Sequence, residues 1–308
     1  MAAAQTSTPP TTASVALVSL NEENTIGRAV RAFIGECSET GSEIIVMAGG
    51  KDRTVENARE ALKDFPRSRL ILDSNPRGKP AALNAMFSVA NGPVMILSDG
   101  DVEVHPGSVR TLLDALKSDD VGAASGRVVG IPGKYNTIEK ACDLMTEMMH
   151  LSRTKSYEAK GTLELASGYL YAIRKDLVRT VPEGTNSDDG FLSLCVRSAG
   201  KRVAYAPGAV VAIRYPRTLG DFIKQKMRTR FGHMQLKNEF KDSSPRSARG
   251  EAGEFRLLSE AARSRGHGPW VVVVAMVLTG LVWVAAYMRK YLPWLFRKRV
   301  WQPISSTK

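Results

Sequence analysis

Four short runs with strand character recur through the first hundred residues, at 15–20, 43–47, 69–72 and 94–97. Between them lie stretches with helical apolar spacing, such as Ile26, Val30, Phe33 and Ile34. Val94 to Leu97 is apolar at every position, which suits a strand buried on both faces of a parallel sheet. Strand and helix alternating at this rhythm predict a right-handed, mostly parallel α/β sheet flanked by helices. In such a sheet, ligands bind outside the carboxyl ends of the strands.

The fourth run ends in Ser98-Asp99-Gly100-Asp101. Two carboxylates around a flexible Gly make a hard-oxygen site suited to Mg²⁺ or Mn²⁺, with Asp99 and Asp101 as ligands. Asp and Gly also favour plain turns, so these residues alone allow both readings. The other strand ends bring Asn21 and Glu22, Asp52, and Arg77 with Lys79. Carboxylates and cations converging on one sheet edge suit a metal-bound diphosphate. Glu22 would accept from a ribose hydroxyl and Lys79 would neutralise phosphate. The chain has no Gly-x-Gly-x-x-Gly after its first strand and no Gly-Lys-Ser/Thr loop, which disfavours a dinucleotide fold or a P-loop.

Beyond residue 101 the pattern predicts a strand at 121–129 and a helix at 135–151 whose Met stripe reads as core. A strand-like stretch follows at 163–173, then an acidic helix start at Ser187-Asp188-Asp189, strands at 202–206 and 209–214, and a basic helix at 219–239. Asp188 and Asp189 are candidates for a general base or for capping the helix they open. Gln225 and Arg228 share one helical face, which reads as diphosphate-contacting or as part of a solvated basic surface.

These residues carry a resemblance. The chain is similar to the family-2 glycosyltransferases, which have the nucleotide-diphospho-sugar-binding fold called GT-A. Leu20-Asn21-Glu22-Glu23 resembles the first-strand nucleotide motif, and Gly78-Lys79-Pro80-Ala81-Ala82-Leu83-Asn84 the Gly-Lys-x-x-Ala-Leu-Asn motif. Asp99-Gly100-Asp101 resembles the Asp-x-Asp metal motif, Asp188-Asp189 the acidic pair carrying the base, and Gln225-Lys226-Met227-Arg228-Thr229 the Gln-x-x-Arg-Trp motif of membrane-embedded members. The resemblance implies donor contacts from Asn21, Glu22, Asp52, Arg77, Lys79 and Asp99. It implies acceptor or diphosphate contacts from Gly168, Gln225 and Arg228, and catalysis by Asp189 or Asp188 with inversion at the anomeric carbon. Met47-Ala48 replaces an Asp pair whose carboxylate meets uracil, so the nucleotide is left open. Thr229 replaces the Trp, so transfer of one sugar is expected rather than processive polymerisation.

Residues 270–288 form nineteen positions without a charge, enough to cross a bilayer as a helix or to re-enter it. The net charge of +12 suits anionic partners, but no basic strand is interleaved with aromatics, which argues against nucleic acid. The expected organisation is a disordered tail at 1–13 and a transferase domain at 14–217. Basic interfacial helices and a linker follow at 218–269, then the apolar helix at 270–288 and a basic tail at 289–308. The expected location is the cell membrane, with the catalytic domain facing the cytoplasm, a lipid-linked glycan or polyprenyl phosphate as acceptor, and a homo-oligomer or membrane partner. Rival readings are a sugar-phosphate nucleotidyltransferase and a non-catalytic basic membrane adaptor with a degenerate transferase fold.

Overall fold

The computed structural model describes residues 11–239 and 256–291. The linker at 241–250, nearly all of the basic tail and the first ten residues of the expected N-terminal tail lie outside the described residues. The end of that tail is bonded to the fold: Ala13 is buried and its carbonyl accepts from the Glu43 N–H at 3.0 Å.

In chain order the elements begin β1 (Ser14–Leu20), α1 (Ile26–Thr40), β2 (Glu43–Gly49), α2 (Thr54–Leu62), β3 (Ser68–Asp73), α3 (Lys79–Val89) and β4 (Val94–Asp99). They continue β5 (Glu103–Val104), α4 (Ser108–Ala115), β6 (Val121–Gly130), α5 (Thr137–Lys160), β7 (Leu170–Arg174), α6 (Asp188–Ser198) and β8 (Arg202–Ile213). The chain then forms α7 (Leu219–Glu239), α8 (Arg256–Arg265) and α9 (Pro269–Tyr291). One eight-stranded sheet has the order β3-β2-β1-β4-β7-β6-β8-β5. The first four strands are parallel, as the alternating pattern predicts.

The second half departs from that pattern. β7 runs antiparallel between β4 and β6, and β5 adds an antiparallel edge to β8. β7 is also shorter than the 163–173 stretch, because residues 161–169 are an irregular segment beside the cleft described below. β8 runs unbroken through Pro207-Gly208, where the sequence suggests two strands. A register shift against β6 between Gly126 and Arg127 absorbs the extra residues.

Both sheet faces are covered. Val15 and Leu17 of β1 face the core under α1, α2 and α4, whereas Ala16 faces the core under α3 and α6. Ile44 and Val46 alternate with Ile45 in the same way. Each of these fully buried Val, Leu and Ile side chains contributes about 1.5–3 kcal/mol.

The α5 helix is longer than its apolar pattern. Asn136 caps it, accepting from the N–H groups of Ile138 and Glu139, while the Glu139 carboxylate accepts from the Asn136 N–H. Replacing Asn136 with Ala removes this capping box and is expected to cost about 1 kcal/mol, read as a lower urea midpoint with an unchanged slope.

Candidate active site

The carboxyl ends of β1 and β4, the N-termini of α3 and α6, residues 163–169 and one side of α7 surround a cleft of about 850 Å³. Lys79 stands at its floor. Its Nζ lies 2.7 Å from Asp99 Oδ1 and 3.6 Å from Asp188 Oδ2. Gly78 delivers it: with φ at 100° the backbone is in a region side chains rarely adopt, and α3 begins at the next residue. Burial opposes the charge on Lys79, but the carboxylates of Asp188 and Asp99 outweigh it and hold the ammonium protonated.

Asp101 is the counterpart. Burial, reinforced by the Asp99 charge, pushes its carboxyl up to about 6, against the pull of Lys79 and Arg228. Burial also raises Asp188, aided by Asp189 and Asp99 and opposed by Lys79. Asp188 Oδ2 is buried with no hydrogen-bond partner besides its approach to Lys79. The local set therefore holds more carboxylate than cation, which fits a further positive ion. Among the described residues no three acidic, His or Cys side chains form a ready-made metal cage. Asp99 and Asp101 are a two-carboxylate set of the kind Mg²⁺ uses when water and phosphate complete its shell.

Gly100, between the two Asp residues, is sterically required. A Cβ there would come within 2.6 Å of Ser19 Oγ and 2.8 Å of Glu22 Oε2. Ser19 donates to that same Glu22 oxygen at 2.7 Å, so the ends of β1 and β4 interlock through this contact. Gly100→Ala is expected to cost about 1–3 kcal/mol through overpacking, measured by chemical denaturation.

Asp189 is held from three sides. Gly168 N–H donates to Oδ2 at 2.9 Å, and Ser187 Oγ and Gly190 N–H donate to Oδ1 at 2.7 and 2.8 Å. Unlike buried Asp188, it keeps partial exposure to the cleft. Negative charge in the first turn of α6 is also favoured by the helix dipole.

Glu22, Arg77, Gly168, Gln225 and Arg228 line the same cleft. Arg77 pairs with Glu183 at 3.1 Å at the mouth, where both side chains are largely exposed. Asn21 and Asp52, expected at the donor, are not among the lining residues. Asn21 has φ at 54° and accepts from the Lys51 N–H at 2.8 Å, so it makes the turn after β1. Asp52 accepts from Thr54 Oγ at 2.6 Å and from the Glu23 N–H at 3.2 Å. Burial opposes the Asp52 charge, but these hydrogen bonds prevail and hold its carboxyl below the usual range.

The sequence reading missed Tyr169 and Met149. The Tyr169 hydroxyl accepts from Gln225 Nε2 at 3.2 Å, and its carbonyl accepts from Ser98 Oγ at 2.6 Å, linking β4 to α7. Burial, then the Asp101 charge, raises its phenol and keeps it protonated. Tyr169 gave no periodic signal because residues 161–169 are not a strand. Met149 lines the cleft rather than the core, whereas Met145 of the same stripe is buried in the core.

A family model described as glycosyl transferase family 2 matches residues 14–181, more than half of the chain. The chain belongs to glycosyltransferase family 2. Among curated relatives of this glycosyltransferase, an N-acetylglucosaminyltransferase of Sinorhizobium fredii is 24% identical over 241 residues, which cover 74% of this chain and 56% of the relative. A poly-beta-1,6-N-acetyl-D-glucosamine synthase of Staphylococcus aureus is 26% identical over 234 residues, covering 73% and 55%. The chain thus spans about half the length of these curated relatives.

Solved structures share the GT-A fold. A mannosyltransferase from Pyrobaculum calidifontis, in complex with GDP-Man and Mn²⁺, has a TM-score of 0.57 at 18% identity, covering 93% of this chain and 82% of its own. Glucosyl-3-phosphoglycerate synthase from Mycobacterium tuberculosis, in complex with Mg²⁺ and UDP, gives 0.55 at 20% identity, covering 77% and 81%.

Proposed function

We propose that this glycosyltransferase moves one sugar, with inversion, from a nucleotide-diphosphate sugar to an amphiphilic, membrane-proximal acceptor. The observation that carries the reading is the gathering of Asp99, Asp101, Lys79 and Asp189 around one cleft. Asp99 and Asp101 would hold Mg²⁺ or Mn²⁺, which when bound supplies charge neutralisation to the leaving diphosphate. Lys79 and Arg228 add positive charge on the same side, and Glu22 is placed to accept from a donor hydroxyl. Asp189 takes the proton of the acceptor hydroxyl as its oxygen bonds to the anomeric carbon. The bond from that carbon to the diphosphate oxygen breaks, and the electron pair leaves with the nucleoside diphosphate. An acceptor phosphate, already anionic, would make little use of this base.

Support for an amphiphilic acceptor comes from a second pocket of about 180 Å³ between α5, α7, α8 and α9. Met145, Met148, Phe222 and Leu258 make it largely apolar, and it shares Met149, Tyr169 and Gln225 with the cleft. Thr229, which replaces an aromatic residue of membrane-embedded relatives, lines the cleft without offering a sugar a flat ring. This supports single transfer.

The test is incubation with radiolabelled UDP- and GDP-sugars, Mn²⁺, and either a membrane lipid extract or soluble glycans. Label partitioning into the organic phase with release of nucleoside diphosphate is expected. Label confined to soluble glycan would contradict the acceptor. Release of pyrophosphate would indicate nucleotidyl transfer instead.

A further inference from the structure

We propose that α9 does not cross the bilayer but lies in its surface plane, docked along its whole length on the catalytic domain, with its outer apolar face in anionic lipid. The proposal rests on the membrane-proximal reading above and specifies how the chain meets the membrane. By length and composition the helix could span. Its packing argues otherwise. Val271, Ala275, Leu278, Val282 and Ala286 form a buried stripe from one end to the other, against α5, α7 and α8. Val273, Val277, Leu281 and Val284 form the opposite stripe, each 44–60% exposed.

Cations of the domain reach this helix at its start and again about two-thirds of the way along. Lys140 of α5 lies 5.5 Å from the ring of Trp270, and Arg230 of α7 lies 4.3 Å from that of Trp283. The two Trp residues are about 20 Å apart along the helix axis. The joint before α9 is also fixed. Buried Asp143 of α5 takes two hydrogen bonds from Arg265, at 2.9 and 2.7 Å, and lies 2.8 Å from His267 Nε2.

A docked helix that crossed the bilayer would draw α5 and α7 into hydrocarbon. Each of Lys140 and Arg230 would then be a charge carried into hydrocarbon, which is strongly unfavourable. A crossing helix released from the domain would uncover its buried stripe together with Phe222 and Leu258, which pack in the same core. An in-plane helix incurs neither cost and buries the exposed stripe at the headgroup boundary.

Charge identifies the occupant. From Thr218 onward the chain has seventeen Lys and Arg against six Asp and Glu, eleven of its twelve excess positive charges. Such a segment is drawn electrostatically to anionic lipid, each basic residue near the surface adding to the attraction. Thr279 and Val282 of α9 line the apolar pocket, so the bilayer would lie one helix thickness from it.

The test uses the full chain with single cysteines at Val273, Val277 or Val284, carrying an environment-sensitive dye; the three native cysteines are buried. Vesicles are phosphatidylcholine with about one-third phosphatidylglycerol, doped with lipids quenching near the headgroup or near the chain end. All three sites should be quenched more by the shallow quencher, and to similar extents. Deepest quenching at Val277, with shallower sites on either side, would establish a span and overturn the proposal. No quenching, with a concentration-dependent dimer in sedimentation, would place a second copy on the face and equally overturn it. A Val277→Asp, Val284→Asp variant should bind these vesicles at least roughly tenfold more weakly. Undiminished vesicle binding would refute the in-plane face. Mn²⁺-dependent nucleoside diphosphate binding, measured on the same variant, should be unchanged; its loss in the parent chain would count against the transferase reading, not this one.

Discussion

Replacing Asp189 with Asn is expected to lower kcat on a hydroxyl acceptor by about 10²–10⁴-fold, the usual contribution of a positioned general base. Nucleoside diphosphate binding should stay within a few-fold of the parent, because the proposed function assigns Asp189 to the acceptor and Lys79, Asp99 and Asp101 to the donor. The substitution also has a structural cost. Both carboxylate oxygens accept from a backbone N–H, Gly168 at one and Gly190 at the other. Whichever way an Asn amide turns, its NH₂ meets an N–H donor, and one buried donor loses its acceptor. About 1–3 kcal/mol of stability should go with it. Denaturation and turnover must therefore be read together: a variant that stays folded and keeps its turnover would remove Asp189 as the base. A lipid phosphate acceptor would show a much smaller fall than a hydroxyl acceptor, so the same variant discriminates between them.

The second large effect is at Lys79. Its Nζ neutralises Asp99 and Asp188, and all three side chains are less than one-third exposed. Lys79→Met leaves these carboxylates facing one another without their cation. Breaking a largely buried pair from one side costs about 3 kcal/mol. The double variant Lys79→Met, Asp188→Asn should recover part of that, because the uncompensated charge is gone. A coupling of about 0.5–3 kcal/mol between the two sites in urea denaturation is expected. Strictly additive effects would mean that the two side chains act independently. Donor affinity should fall in the single variant as well, since the diphosphate loses a fixed positive charge.

Much of the parallel half of the fold was legible because burial on both faces leaves a direct trace. Ile44, Ile45 and Val46 are apolar in succession since each faces a core, and this marks a covered parallel strand. The reversed half was not legible in the same way. β7 is short, and its direction follows from pairing with β4 and β6, residues 46 or more positions earlier in the chain at closest register. The continuation of β8 through Pro207-Gly208 depends on a bulge opposite Gly126 that periodicity cannot report.

The site shows the same division. Asp99, Lys79 and Asp189 sit at element ends, where strand and helix patterns could locate them. Asn21 and Asp52 sit at element ends too, but their side chains satisfy backbone donors, Asn21 the Lys51 N–H beyond the neighbouring strand β2 and Asp52 the Thr54 N–H two residues on. Sequence position alone does not separate a turn-making carboxylate from one that faces a ligand. Tyr169 escaped because it lies on an irregular segment, and its role emerges only when α7 brings Gln225 to its hydroxyl.

The most direct test of the account is calorimetric titration of UDP and GDP into the protein with Mn²⁺ and with chelator, beside an Asp99→Ala, Asp101→Ala variant. Binding of at least one nucleoside diphosphate that requires Mn²⁺, and its loss in a folded variant, is the predicted result. Metal-independent binding of equal strength, or undiminished Mn²⁺-dependent binding in the variant, would contradict the assignment of these two carboxylates.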